Sequence, residues 1–162
     1  MAIFGSIRDV DAFKSVSREL VNDIISQQCG YYKIVLGDTQ ANIYGESLKK
    51  AFVGPILFNC LIERGDFTAP VDDFGPDTQR DVTFRFLRDD MVEANVFPEI
   101  GDVIMYNEIY YEVDNVNENQ LILGKDNRYA YSSGLENYGN DYSVVLKTHY
   151  TRGDKLGITP QR

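Results

Sequence analysis

From residue 31 onward the chain is cut into short runs rich in β-branched and aromatic residues, each closed by Gly, Pro, Asn or Asp, and this punctuation limits the possible folds most. The runs cover residues 31–36, 51–61, 82–87, 103–106, 109–113, 121–123 and 142–150. In Val82-Thr83-Phe84-Arg85-Phe86 the strict alternation places the three apolar side chains on one face and Thr83 and Arg85 on the other, so this strand has one wet face. Many short strands with one helix predict a mainly β fold, a small antiparallel β-barrel or sandwich.

The exception is the amino terminus. Ile7, Val10, Phe13, Val16, Leu20, Val21, Ile24 and Ile25 recur mostly at steps of three and four, which predicts an amphipathic helix over residues 6–28. Ser6 and Asp9 form a variant capping box at its start, and Gly30 is a left-handed stop at its end. The helix either plugs the open side of the sheet or packs on a neighbouring subunit, and the plug is the simpler expectation. The chain then reads as a single domain, 1–162, with a β domain over 31–151 and a polar tail over 152–162.

Two stretches are expected to be long loops. Residues 65–77 combine Gly and Pro with Phe67, Val71 and Phe74, and residues 126–141 set Tyr129, Tyr131 and Tyr138 among Gly, Ser and Asn. Large rings in such loops suit contacts with other proteins, so these six residues are the candidate interface positions. Between 97 and 116 a Gly101-Asp102 turn precedes a hairpin centred on Asn107-Glu108. Glu108 stands where a two-residue turn prefers Gly, so a longer turn is expected.

Charge and chemistry narrow the function. The 162 residues hold 16 Lys and Arg against 25 Asp and Glu, a net charge of −9. Binding that rests on a basic face replacing counterions is therefore disfavoured, although an acidic wall can enclose DNA and let it slide. The longest apolar run, 51–62, is broken by Gly54, Pro55 and Asn59 and is too short for a membrane span. The amino terminus lacks the basic-then-apolar order of a secretory signal, which points to folding in a cytoplasm. Cys29 and Cys60, without a CxxC spacing, read as buried reduced thiols. The single histidine, His149, lies within a strand run and offers neither a triad nor a two-histidine metal site. Asp66, Asp72, Asp73, Asp77 and Asp81 cluster without calcium-loop spacing, and no phosphate-binding glycine motif is present. The expectation is a protein with no catalysis, metal or cofactor.

A series of phrases then gives a resemblance. Tyr31-Tyr32 on a strand is followed by Ile43-Tyr44-Gly45-Glu46-Ser47-Leu48-Lys49, then Phe74-Gly75, the strand 82–86, Pro98-Glu99-Ile100-Gly101-Asp102-Val103-Ile104-Met105-Tyr106, and Tyr111-Glu112-Val113. Their order over about residues 31–116 resembles the neck proteins of T-even-like contractile-tailed bacteriophages. No one phrase is specific alone, and the serial order carries the likeness. The resemblance implies a head-completion protein of the virion, made in the bacterial cytoplasm. It would assemble as a homo-oligomeric ring, a hexamer, between a portal-side adaptor and the tail terminator protein. Such a ring closes the DNA-filled head and receives the tail, with packaged DNA passing through without sequence-specific binding. This chain lacks the long acidic extension that follows the position of Thr151 in that family, and its amino-terminal helix is not matched there. The alternatives are a tail-terminator or baseplate component on the same scaffold, and, more remotely, a β-barrel nucleic-acid-binding module.

Overall fold

The computed structural model describes residues 7–41, 47–68, 71–72, 75–76, 79–121 and 141–156. The helix comes first: α1 (Ile7–Glu19) runs into a wider π-helical turn, Leu20–Ile25, ended by Ser26 in the left-handed conformation. Gly30 is therefore not the helix stop. It lies inside the first strand, β1 (Gln28–Ile34), where an added Cβ would sit 3.2 Å from Pro55 Cβ and 3.4 Å from Met105 Cε. Its role is close approach between strands rather than a turn.

After β1 come two short strands, β2 (Gln40–Ala41) and β3 (Ser47–Lys49), which pair with each other. The chain continues through β4 (Phe52–Asn59), β5 (Leu61–Thr68), β6 (Val71–Asp72), β7 (Gly75–Pro76), β8 (Gln79–Leu87) and a short helix α2 (Arg88–Glu93). It ends with β9 (Val103–Tyr106), β10 (Ile109–Leu121), β11 (Asp141–Thr151) and a helical turn α3 (Gly153–Leu156). Seven strands form one antiparallel sheet in the order β4-β1-β9-β10-β11-β8-β5. The two edge strands, β4 and β5, are separated in the chain only by Cys60, whose N–H donates to Gln27 O at 2.9 Å. The sheet must therefore curl until its edges meet at that residue, which gives the barrel-like, mainly β fold that the punctuated sequence predicts.

The curl encloses a ring-rich core. Tyr31, Phe58, Phe84, Phe86 and Tyr111 are buried together, with centroid separations from 5.6 to 6.4 Å and mostly edge-to-face geometry. Val82, Phe84 and Phe86 all point inward, as the alternation requires. Cys29 and Cys60 are buried free thiols in the same core. The hydrogen bond with Cys60, and then burial, push the Cys29 thiol pKa upward. On the outer face of the sheet, Tyr32, Val103 and Tyr110 are covered by Leu156, so the start of the 152–162 segment packs on the sheet.

Two other expectations need correction. The stretch 65–77 is not one long loop: β5 and β8 continue to pair as far as Thr68↔Gln79, and β6 pairs with β7 beyond them. Short β-ladders absorb the backbone groups that a structureless loop would leave unpaired. The β9–β10 turn is two residues, with Tyr106 paired to Ile109 and positive φ at both Asn107 (53°) and Glu108 (63°). The register on either side forces this tight turn, and Glu108 adopts a backbone conformation that favours Gly.

Candidate protein-binding surface

The Gly101-Asp102 phrase fixes one end of the sheet. Gly101 has φ +94°, and its N–H donates to Val113 O at 2.9 Å. This turn drives Asp102 fully into the interior. Asp102 Oδ1 accepts from the Ile34 N–H at 2.8 Å. Its Oδ2 accepts from the Glu99 N–H at 2.7 Å, from Lys33 Nζ at 3.2 Å and from the Tyr31 hydroxyl. Burial, then the bond to Asp102, push the Tyr31 hydroxyl above the ordinary phenol range. With all four donors engaged, this carboxylate is an internal clamp between β1 and the 97–102 turn, not a general base.

His149, exposed on β11, places Nδ1 2.7 Å and 2.8 Å from the two oxygens of Asp114 on β10. That is a cross-strand surface pair. Among the described residues, no group of three or more His, Cys, Asp and Glu is placed to share a metal ion. No helix of the described residues is long and apolar enough to cross a membrane.

The surface feature that stands out is α1. It docks through its polar side: Lys14 Nζ lies 3.0 Å from Asp89, Arg18 lies 2.7 Å from Glu93 and 3.1 Å from Asp90, and Asn22 Nδ2 donates to Asp90 at 3.1 Å. The hydrogen bond to Glu93 and then the charge of Asp90 hold the Arg18 guanidinium pKa above its usual value. The apolar stripe is left outside. Phe13 is 58% exposed, Val16 64% and Ile24 70%, with Leu20 and Ile25 also exposed. Among the described side chains of the helix and its π-turn, only Val21 is buried. The expected plug is therefore wrong for these positions, and the signal that could have shown it was the match between Lys14, Arg18 and the acidic run Asp89-Asp90-Glu93. Paired charges held the polar face to the body and turned the greasy face to solvent.

A cleft of about 290 Å³ lies beside this helix, lined by Arg18, Asn22, Leu57, Asn59, Asp90 and Glu93. Asn22 Oδ1, Asn59 Oδ1 and Asp90 Oδ1 are buried there without an aligned hydrogen-bond donor. A second cleft of about 240 Å³ lies toward the other end of β8, with Tyr106, Ile109 and Tyr111 as walls and Arg64 and Arg80 at its mouth. The Arg64 guanidinium sits 5.9 Å above the Tyr106 ring. Leu36, Val53, Phe97 and Ile100 are also exposed.

Of the six interface positions expected from sequence, Phe67 lies on β5 opposite Arg80, and Val71 lies on β6 opposite Pro76. Phe74, Tyr129, Tyr131 and Tyr138 lie outside the described residues.

No family model matches the chain, and no curated protein matches it. Among solved structures it is similar to a chain of the "Virion of native gene transfer agent (GTA) particle", at 9% identity and TM-score 0.46, covering 77% of this chain and 94% of that chain. A likeness at that level says nothing further about what this chain does.

Proposed function

We propose that this chain is a structural virion protein of the phage neck, assembling as a ring that closes the DNA-filled head and gives the tail its docking surface. The observation that carries the reading is the serial order of the phrases between residues 31 and 116, two of which meet in one place. Tyr31, from the Tyr-Tyr strand, donates to Asp102, from the Gly-Asp turn, although the two are 71 residues apart. Phrases that are distant in the chain thus build one clamp, which gives their co-occurrence a physical reason.

Three further features support an assembly role. The acidic surface suits a wall past which DNA slides. Exposed apolar side chains on α1 and around β4 suit contacts between subunits. Every polar atom that the Asp102 clamp brings together is spent on holding the fold.

The test is electron microscopy of lysates from cells infected with a phage lacking this gene. The reading expects DNA-filled or leaking heads beside complete, unattached tails. Joined particles of normal form would remove it, and absent or overlong tails would move the protein to tail assembly.

A further inference from the structure

We propose that the solvent face of α1, with Phe13, Val16 and Leu20 at its centre, seats on a second copy of this chain at the Arg64 cleft, so that subunits join head to tail. The inference deepens the ring reading above and rests on its self-assembly.

Five exposed side chains on one helical segment present on the order of 400 Å² of apolar surface, the size at which a patch marks an interaction site. The helix is mounted on the body by Lys14 and Arg18, so the patch is presented in a fixed place at little ordering cost. Its exposed border is acidic: Glu19 and Asp23 have no basic partner among the described residues. The neighbouring cleft adds two buried oxygens, Asn22 Oδ1 and Asn59 Oδ1, with no hydrogen-bond donor among the described residues.

The Arg64 cleft offers the complement. Its walls set the Tyr106, Ile109 and Tyr111 side chains beside polar Asn107, and Arg64 is held over the Tyr106 ring with no carboxylate within ion-pair reach among the described residues. An acid-bordered apolar helix and an arginine-bordered cleft with aromatic and aliphatic walls on one chain are complementary in charge, and the rings of the cleft give the apolar stripe a surface to cover. Within one subunit the centre of the stripe does not reach the cleft: the two lie toward opposite ends of β8, roughly 20 Å apart at the usual rise of a strand, and the chain nears the cleft wall only at Gln27, past the π-turn, which donates to the Tyr106 hydroxyl. Two different surfaces that fit each other make a heterologous contact, which closes into a ring when the rotation between subunits allows.

The experiment is sedimentation equilibrium and native mass spectrometry of the purified full chain from 5 to about 100 μM, concentrations that resolve micromolar self-association. The wild type is expected to form multimers. Val16→Asp, an exposed substitution that leaves the fold intact by circular dichroism, is expected to weaken association at least tenfold. Arg64→Glu is expected to do the same, and the triple variant Glu19→Arg, Asp23→Arg, Arg64→Glu to restore it. A wild type that stays monomeric at about 100 μM overturns the inference. Multimers unchanged by Val16→Asp also overturn it while leaving the ring standing on another surface. Neither result touches the location of the protein in the particle, which the lysate microscopy decides separately.

Discussion

Replacing Asp102 by Asn tests whether the buried clamp holds the fold, because the shape is kept and only acceptors are lost. With the amide nitrogen at the Oδ2 position, it faces three donors: the Glu99 N–H, the Tyr31 hydroxyl and Lys33 Nζ. With the amide turned over, the Ile34 N–H loses its acceptor, and the other three bonds lose their charge assistance. The second arrangement is the cheaper. One unsatisfied buried donor costs about 1–3 kcal/mol, and each charge-assisted bond weakened to a neutral one costs about 1 kcal/mol more. The sum is about 4–6 kcal/mol, a large share of the 5–15 kcal/mol typical of a domain. Urea unfolding followed by far-ultraviolet circular dichroism should show the midpoint falling with an unchanged slope. Asp114→Asn, on the exposed pair with His149, is the control and should cost less than about 1 kcal/mol. A loss below about 1 kcal/mol for Asp102→Asn would refute the clamp.

Three more outcomes follow from the geometry. The folded state holds the Tyr31 proton more tightly than the unfolded chain, whose phenols titrate near 10. Stability contributed by this group is thus complete below pH 10 and is lost as pH rises above it, at about 1.4 kcal/mol per pH unit. Tyr31→Phe should flatten that slope between pH 10 and 11, as read by urea midpoints at each pH. Glu108→Gly removes a side chain from a positive-φ position of the β9–β10 turn and should stabilise by about 1 kcal/mol in the same assay. Leu156→Ala should cost about 2–4 kcal/mol and expose Tyr32 and Tyr110, checked by unfolding and by slower-to-faster hydrogen exchange along β9.

Much of the sheet was legible because strand alternation and breakers are local signals. Val82, Phe84 and Phe86 face inward for the reason visible in their spacing, and the boundaries of β9 follow from Gly101 and Asn107. What was not legible depends on contacts distant in sequence. The closure at Cys60 requires knowing that β4 and β5 take opposite edges of one sheet. The spacing of the helix shows that it is amphipathic, yet which face docks depends on Asp89, Asp90 and Glu93, about 75 residues away. The tight turn at Glu108 is not visible locally, because register in the flanking strands outweighs the preference of one residue. Asp102 stands out in the sequence only as part of a phrase, since nothing local to it reveals the four donors from β1 and the preceding turn.

The central claim is the place of this protein in the particle. Immunogold labelling of intact phage carrying an epitope-tagged copy of this gene reads that place directly. The account predicts gold confined to the junction between head and tail. Gold along the tail, on the baseplate or absent from finished particles would contradict it.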